Sequence, residues 1–244
     1  MSDAGERPAF YALSPGRWRD YWTLLHPPYT LLHLSFVAIG ASLAAVVDLR
    51  WLGETLLAFF LAIGLSAHAL DELKGRPLRT RISDRTLWVI SVVGLSGAIA
   101  LGVDASMRIS PWIAAFVVVG GFLVVAYNLE LFHGAFHSDA WFALAWGGFP
   151  ALTGYFAQTA RVSIAAVIVG LACALVSMMQ RTLSTPVRRL RRHVELVEGR
   201  LRLRDGSTER IDSDTLRAAP EDALRWLSLA FPLLAVGLVV NRWP

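Results

Sequence analysis

His68, Asp71 and Glu72 lie in the stretch HALDELKGRPLRTRIS, His68 to Ser83, at spacings that put all three on one face of a helix. The run before them, Trp51 to Ala67, is nearly all apolar. An ionisable group held at bilayer depth costs roughly 2.5–3.5 kcal/mol, so this triplet marks either a site or a solvated helix end. Asp71 and Glu72 suit a Mg²⁺ ion bridged to phosphate, and Lys74, Arg76, Arg79 and Arg81 suit the remaining phosphate charge. A second cluster holds Tyr127, Asn128, Glu130, His133, His137 and Asp139. Glu130/His133 and His133/His137 have the i+3 and i+4 spacings with which a helix could ligate a transition metal, whereas Gly134 points to a loop. No Lys or Arg stands between Asn128 and Ala140, which suits a surface that faces substrate. A third cluster, Gln180, Arg181, Thr182, Ser184 and Thr185, closes another apolar run. No Ser-His-Asp order with local context and no glycine-rich phosphate loop is present.

The elements that carry these clusters belong to a membrane. Of 244 residues 55% are apolar and 17% charged, against about 25% charged in soluble domains. The net charge of +4 sits in short loops between apolar spans, which fits a bilayer and not nucleic acid. A single cysteine, Cys173, excludes an internal disulfide. No signal peptide is visible, so the first apolar span is expected to act as its own insertion signal.

The hydropathy pattern predicts an all-α polytopic bundle of about seven transmembrane helices: Tyr29–Val47, Trp51–Leu70, Thr86–Val103, Pro111–Tyr127, Trp141–Ala157, Val162–Met179 and Ala223–Val240. The division expected is residues 1–28 as a cytoplasmic segment with an interfacial helix, 29–182 as a six-span bundle, 183–220 as a basic cytoplasmic loop and 221–244 as the seventh helix. Met1 to Pro15 reads as loose, and Arg17 to His26 as the interfacial helix. Gly147, Gly148, Pro150 and Gly154 interrupt the fifth span, for a close helix contact or a broken backbone beside a cavity. Within the basic loop, Pro186 to Glu198 reads as an amphipathic helix, a lipid anchor or a phosphate clamp, and GRLRLRDGSTERI as a hairpin. With the N-terminus inside, nineteen Lys and Arg fall on the cytoplasmic side and four outside. The chain then reads as an integral protein of a bacterial inner membrane, with the C-terminus outside and all three polar clusters on the cytoplasmic face.

The stretch from LLHPPYTLLHLSFVAIGASLA through AYNLELFHGAFHSDAWFALAWGGFPALTGYFA to RTLSTPVRRL resembles the UbiA superfamily of intramembrane prenyltransferases, over about residues 22–190. The likeness is best at Asp71 followed by GRPLRTRIS, where the family carries N-D-x-x-D-x-x-x-D and a segment similar to RPL-x-x-x-RIS. It implies a helical bundle around a cavity open to the cytoplasm and to lipid, with Mg²⁺ and a prenyl diphosphate between two Asp-rich motifs. With Asp71 on the middle Asp, the motif's other positions carry Ala67, His68 and Gly75, and no acid stands at the second motif, Leu175 to Gln180. Loss of these oxygen ligands weakens Mg²⁺ binding, so the resemblance carries the fold further than the activity.

The leading expectation is transfer of a prenyl or polyprenyl group from a diphosphate donor to a hydrophobic acceptor at the cytoplasmic face. Catalytic roles fall to His68, Asp71, Glu72, Tyr127, Glu130 and His133, metal binding to Asp71 and Glu72. Substrate binding falls to Lys74, Arg76, Arg79, Arg81, Asn128, His137, Gln180 and Arg181. The partners expected are membrane lipid and a prenyl diphosphate or other isoprenoid lipid, without nucleic acid. The alternatives are a non-catalytic lipid- or isoprenoid-binding scaffold, or a His/carboxylate metal-dependent intramembrane enzyme.

Overall fold

The computed structural model describes residues 7–243. Residues 1–6 of the segment expected to be loose lie outside the described residues. Helix α1 is Trp18–Leu24 and α2 Pro27–Ala41. Helix α3 runs over Leu49–Leu73 with a π-helical stretch, Phe60–Ala67, inside it. Then come α4 (Asp84–Arg108), α5 (Ile113–Asn128), α6 (139–159, π-helical over Leu144–Gly148) and α7 (Ile164–His193). A hairpin of β1 (Gly199–Arg202) and β2 (Thr208–Ile211) precedes α8 (Ser213–Val240).

Local chemistry sets the helix starts. Asp48, Ser83, Ser138, Ser163 and Asp212 each accept a first-turn backbone N–H through the side chain, supplying a partner the helix itself cannot. At Asp212 the cap is reciprocal with Thr215, which is why α8 begins at Ser213 rather than near Ala223. Helix α7 passes through Pro186 without a break, so the sixth span and the amphipathic helix are one rod. Thr182, whose carbonyl Pro186 cannot serve, is exposed and open to water. The expected 183–220 loop therefore shrinks to the stretch between His193 and Ser213, and the hairpin around Asp205-Gly206 is present there.

Four helices are long and apolar enough to cross a membrane, α3, α4, α7 and α8, and α5 is apolar but shorter. Outward-facing Val89, Val92 and Val93 on α4, and Leu229, Leu233 and Leu234 on α8, give these rods an apolar surface suited to acyl chains. The chain is a helical membrane protein. Helix α2 is the central rod: ten of its 15 residues are buried, packed on α3, α6, α7 and α8. It ends at Ala41, short of the expected Val47, in turns where Leu43 N–H reaches Gly40 O and Ala44 N–H reaches Ala41 O.

Helices α2 and α6 touch backbone to backbone. A Cβ on Gly154 would lie 2.1 Å from the carbonyl oxygen of Val37, and one on Gly40 1.9 Å from that of Ala151. Gly147 meets α7 in the same way, 2.5 Å from Cys173 O. These contacts are the small-residue packing that replaces hydrophobic drive inside a bilayer. Gly154→Val must push α2 away from α6. It is expected to cost about 3 kcal/mol in reversible unfolding in mixed micelles, and a loss under about 1 kcal/mol contradicts the contact.

Candidate functional site

One end of the bundle holds a polar cavity of about 250 Å³. Six segments wall it: the start of α2, the end of α3 with the loop after it, the end of α5 with the turn after it, the start of α6, the last turns of α7 and the N-terminal stretch Pro8 to Tyr11. Each brings its polar groups for a local reason. On α2, Tyr29 and His33 stand four residues apart and share a face, and His26, the left-handed residue that precedes the helix, lines the cavity with them. On α3, the wide π turn ends one residue before His68, which with Asp71 faces the cavity. Such turns recur at functional sites. On α6, Pro150 has no N–H for the carbonyl of Trp146, four residues earlier. The π turn opens there and His33 Nδ1 donates to that carbonyl at 2.9 Å. On α7, Gln180, Ser184, Arg188 and Arg192 repeat every four residues, with Arg181 alongside.

The groups meet closely. His26 and His68 stack with ring centroids 4.2 Å apart. Tyr11 hydroxyl and His26 Nδ1 share a hydrogen bond at 2.8 Å. Burial, then the charges of His68, Arg192 and Arg188, hold the His26 imidazole well below its ordinary pKa, so it is neutral at pH 7. Burial pushes the Tyr11 hydroxyl well up. Tyr127 stacks on His137 at 4.4 Å and lies 4.6 Å from Trp146, and Phe142 stacks on Trp146 at 5.8 Å. Arg181 lies 5.2 Å over the Phe142 ring. Three polar atoms of residues in this wall, His26 Nε2, Tyr127 OH and Gln180 Oε1, are buried without a partner among the described residues. Buried orphans of this kind call for a ligand.

Of the residues the sequence nominates, His68, Asp71, Tyr127, Asn128, His137, Gln180 and Arg181 line this cavity. Asn128 also donates to Val124 O at 2.7 Å, and His137 Nδ1 bonds Tyr127 O at 2.9 Å. The others lie elsewhere. Glu72 is fully buried and turned into the following loop, where it accepts from Leu78 N, Thr80 N and Thr80 Oγ1 at 2.8–2.9 Å. Both oxygens are engaged in that loop, and Glu72 does not line the cavity with Asp71. Lys74 and Glu130 pair with each other at 2.6 Å on the surface, and that bond holds Glu130 below the usual carboxylate range. Arg76 donates to Ile82 O and pairs with Asp84, which shapes the loop into α4. Arg79 and Arg81 are exposed, and the backbone N–H of Arg81 reaches the buried Asp20 of α1. Glu130, Phe132 and His133 all have positive φ, so the helical spacing that joined Glu130 to His133 does not exist there, and His133 faces outward. The six-group His/carboxylate convergence is thus reduced to His68, Asp71 and His137.

Sequence reasoning passed over Tyr11, His26, Tyr29 and His33, and read Arg188 and Arg192 as part of an anchor or clamp. A histidine inside an apolar span, as His33 is, was the signal. Of the segment expected to be loose, Pro8 to Tyr11 instead line the cavity. Ala9 and Ala12 are buried, and Arg191 and Arg192 donate to the carbonyls of Arg7 and Pro8 at 3.3 and 3.2 Å. An apolar groove between α3, α4, α5 and α6, about 120 Å³ and lined by Phe59, Ile99, Phe149 and Phe156, abuts the cavity, and Trp146 walls both.

The Mg²⁺ implied by the resemblance does not fit the donor set. Among the described residues Asp71 is the one carboxylate in the wall, beside Arg181, Arg188 and Arg192. Mg²⁺ asks for near-octahedral oxygen ligands, with carboxylates among them. No cluster of three or more His, Cys, Asp or Glu within metal reach exists among the described residues. No family model, curated protein or solved structure matches this chain.

Proposed function

We propose that the chain is a UbiA-like, seven-span intramembrane enzyme. It takes the diphosphate head of a prenyl or polyprenyl donor into this cavity from the cytoplasmic side and transfers the prenyl group to a hydrophobic acceptor. The observation that carries the reading is the facing of Arg181, Arg188 and Arg192 on α7 against Asp71 and His68 on α3, with Tyr127, Phe142 and Trp146 between them. The adjoining apolar groove suits an isoprenoid tail. The excess of Lys and Arg at the cavity end supports a cytoplasmic opening in a bacterial inner membrane.

In this reading the C–O bond of the allylic diphosphate breaks and its electron pair leaves with the diphosphate, whose charge the three guanidinium groups offset. The allylic cation lies against the ring faces of Tyr127, Phe142 and Trp146. The acceptor's nucleophilic atom forms the new bond to carbon, and its proton passes to Asp71. Products are the prenylated acceptor and diphosphate.

Purified protein in nanodiscs, given labelled geranylgeranyl diphosphate and a bacterial lipid extract as acceptor, is expected to release diphosphate in step with labelled lipid. Asp71→Asn is expected to lose turnover by at least about 100-fold, as for loss of a catalytic base. Absence of both products with the wild type sinks the transfer reading. A second reading, an isoprenoid-binding protein without turnover, is favoured by the single carboxylate of the wall, and tight binding without diphosphate release is its signature.

A further inference from the structure

A divalent ion on a diphosphate offsets charge, but it must itself be held by anionic oxygens. Around this cavity those oxygens are spent on other partners. Glu72 serves the backbone of residues 78 and 80. Asp139 accepts from Arg181 Nε at 2.8 Å, Glu221 pairs with Arg191 at 2.5–2.8 Å, and Glu130 pairs with Lys74. Among the described residues Asp71 is the one carboxylate left in the wall.

The positive groups show the opposite condition. Arg188 and Arg192 both line the cavity, and among the described residues neither pairs with a carboxylate. Arg188 donates to Thr185 Oγ1 at 3.1 Å and Arg192 to Pro8 O at 3.2 Å. Arg181 and Arg192 both lie near enough to act electrostatically on Arg188. Arg188 and Arg192, with Arg181 sharing its charge with Asp139, concentrate positive charge in a partly enclosed space that suits an anion, and their planar forks match phosphate oxygens. Tyr127 and Gln180, 5% and 2% exposed, add a free hydroxyl and a free amide oxygen to the same wall. The hydroxyl can donate to a phosphate oxygen, and the amide oxygen can accept from a protonated phosphate or from the acceptor.

We propose that the cavity binds its diphosphate directly through Arg181, Arg188 and Arg192, with no divalent metal ion between protein and ligand. The inference rests on the isoprenoid diphosphate reading above and names the means of recognition at that site. It gives Asp71 a role in proton transfer only. Its charge then opposes the ligand rather than drawing it in through a metal.

The test is calorimetric titration of the full detergent-solubilised chain with farnesyl diphosphate, in excess EDTA and in excess Mg²⁺. The dissociation constants are expected to agree within about twofold. Arg188→Gln and Arg192→Gln are each expected to weaken binding about tenfold or more in both buffers, as for loss of a hydrogen bond to a charged group. Exposed Arg189→Gln is the control and is expected to change nothing. Asp71→Asn separates the cases without touching an arginine: direct binding predicts equal or tighter affinity, and a metal bridge predicts loss. Inorganic diphosphate is expected to compete in EDTA. Competition by phosphatidylglycerol but not by diphosphate would assign the site to a lipid headgroup and overturn the proposal. Binding that weakens more than about tenfold in EDTA overturns it while leaving the isoprenoid reading intact. No binding in either buffer removes both.

Discussion

Glu72→Ala is expected to destabilise the protein by about 3 kcal/mol or more while leaving the polar groups of the cavity wall in place. The carboxylate is fully buried and accepts three hydrogen bonds, two from the backbone N–H groups of Leu78 and Thr80 and one from Thr80 Oγ1. Truncation strands those donors in a segment where Leu78 and Thr80 are themselves buried, and each buried orphan costs about 1–3 kcal/mol. The loop from residue 74 to Ser83 then loses the anchor that folds it back onto α3. Chemical unfolding in mixed micelles should register the whole loss. A Glu72→Ala protein as stable as the wild type, but unable to bind ligand, would show that this carboxylate works on substrate after all.

The second large effect falls on α8. Glu221 and Arg191 form a two-pronged ion pair, with side chains 7% and 11% exposed, between α8 and the last turn of α7. Arg191 also donates to the carbonyl of Arg7. Glu221→Ala removes one partner of a buried pair, which costs about 3 kcal/mol because two charge-assisted hydrogen bonds to the guanidinium are lost. Arg188 and Arg192 share this end of α7, so the loss should spread to the cavity mouth. Two readouts follow: a lower unfolding free energy, and faster proteolysis in the segment before α1. Replacement of the pair by a packed apolar couple, Arg191→Met with Glu221→Leu, should recover much of the stability. Failure of the double variant to exceed Glu221→Ala would argue that the pair is not the clamp.

Three carboxylates near one end of the bundle therefore have three fates. Glu72 builds a loop, Glu221 clamps two helices and Asp71 faces the cavity. The sequence could not separate Asp71 from Glu72. Adjacent residues on a helix differ by about 100° in direction, and which side faces the pocket depends on the wide π turn before them. Much else was readable. Apolar run lengths place the long rods, and Asp205-Gly206 marks the hairpin. Gly154 and Gly147 were legible as contact points between helices. The convergence of α2 with α3 and α7 was not, because α2 is short and lacks an amphipathic stripe: its polar His26, Tyr29 and His33 cluster at one end and meet partners from distant parts of the chain. The loop after α5 misled for another reason. Spacing arguments assume helical φ and ψ, and Glu130, Phe132 and His133 leave that region.

Ser184 offers the most direct probe, since it is 1% exposed overall, lines the cavity and exchanges for cysteine with little change of volume. The natural Cys173 is buried and serves as the silent background. The measurement is reaction of Ser184→Cys with a small anionic methanethiosulfonate in inverted and right-side-out membrane vesicles, with and without farnesyl diphosphate. A cavity that receives a diphosphate head from the cytoplasmic side predicts labelling in inverted vesicles, none in right-side-out vesicles, and protection by farnesyl diphosphate but not by farnesol. Labelling from the outer face, or labelling that farnesyl diphosphate leaves unchanged, contradicts it.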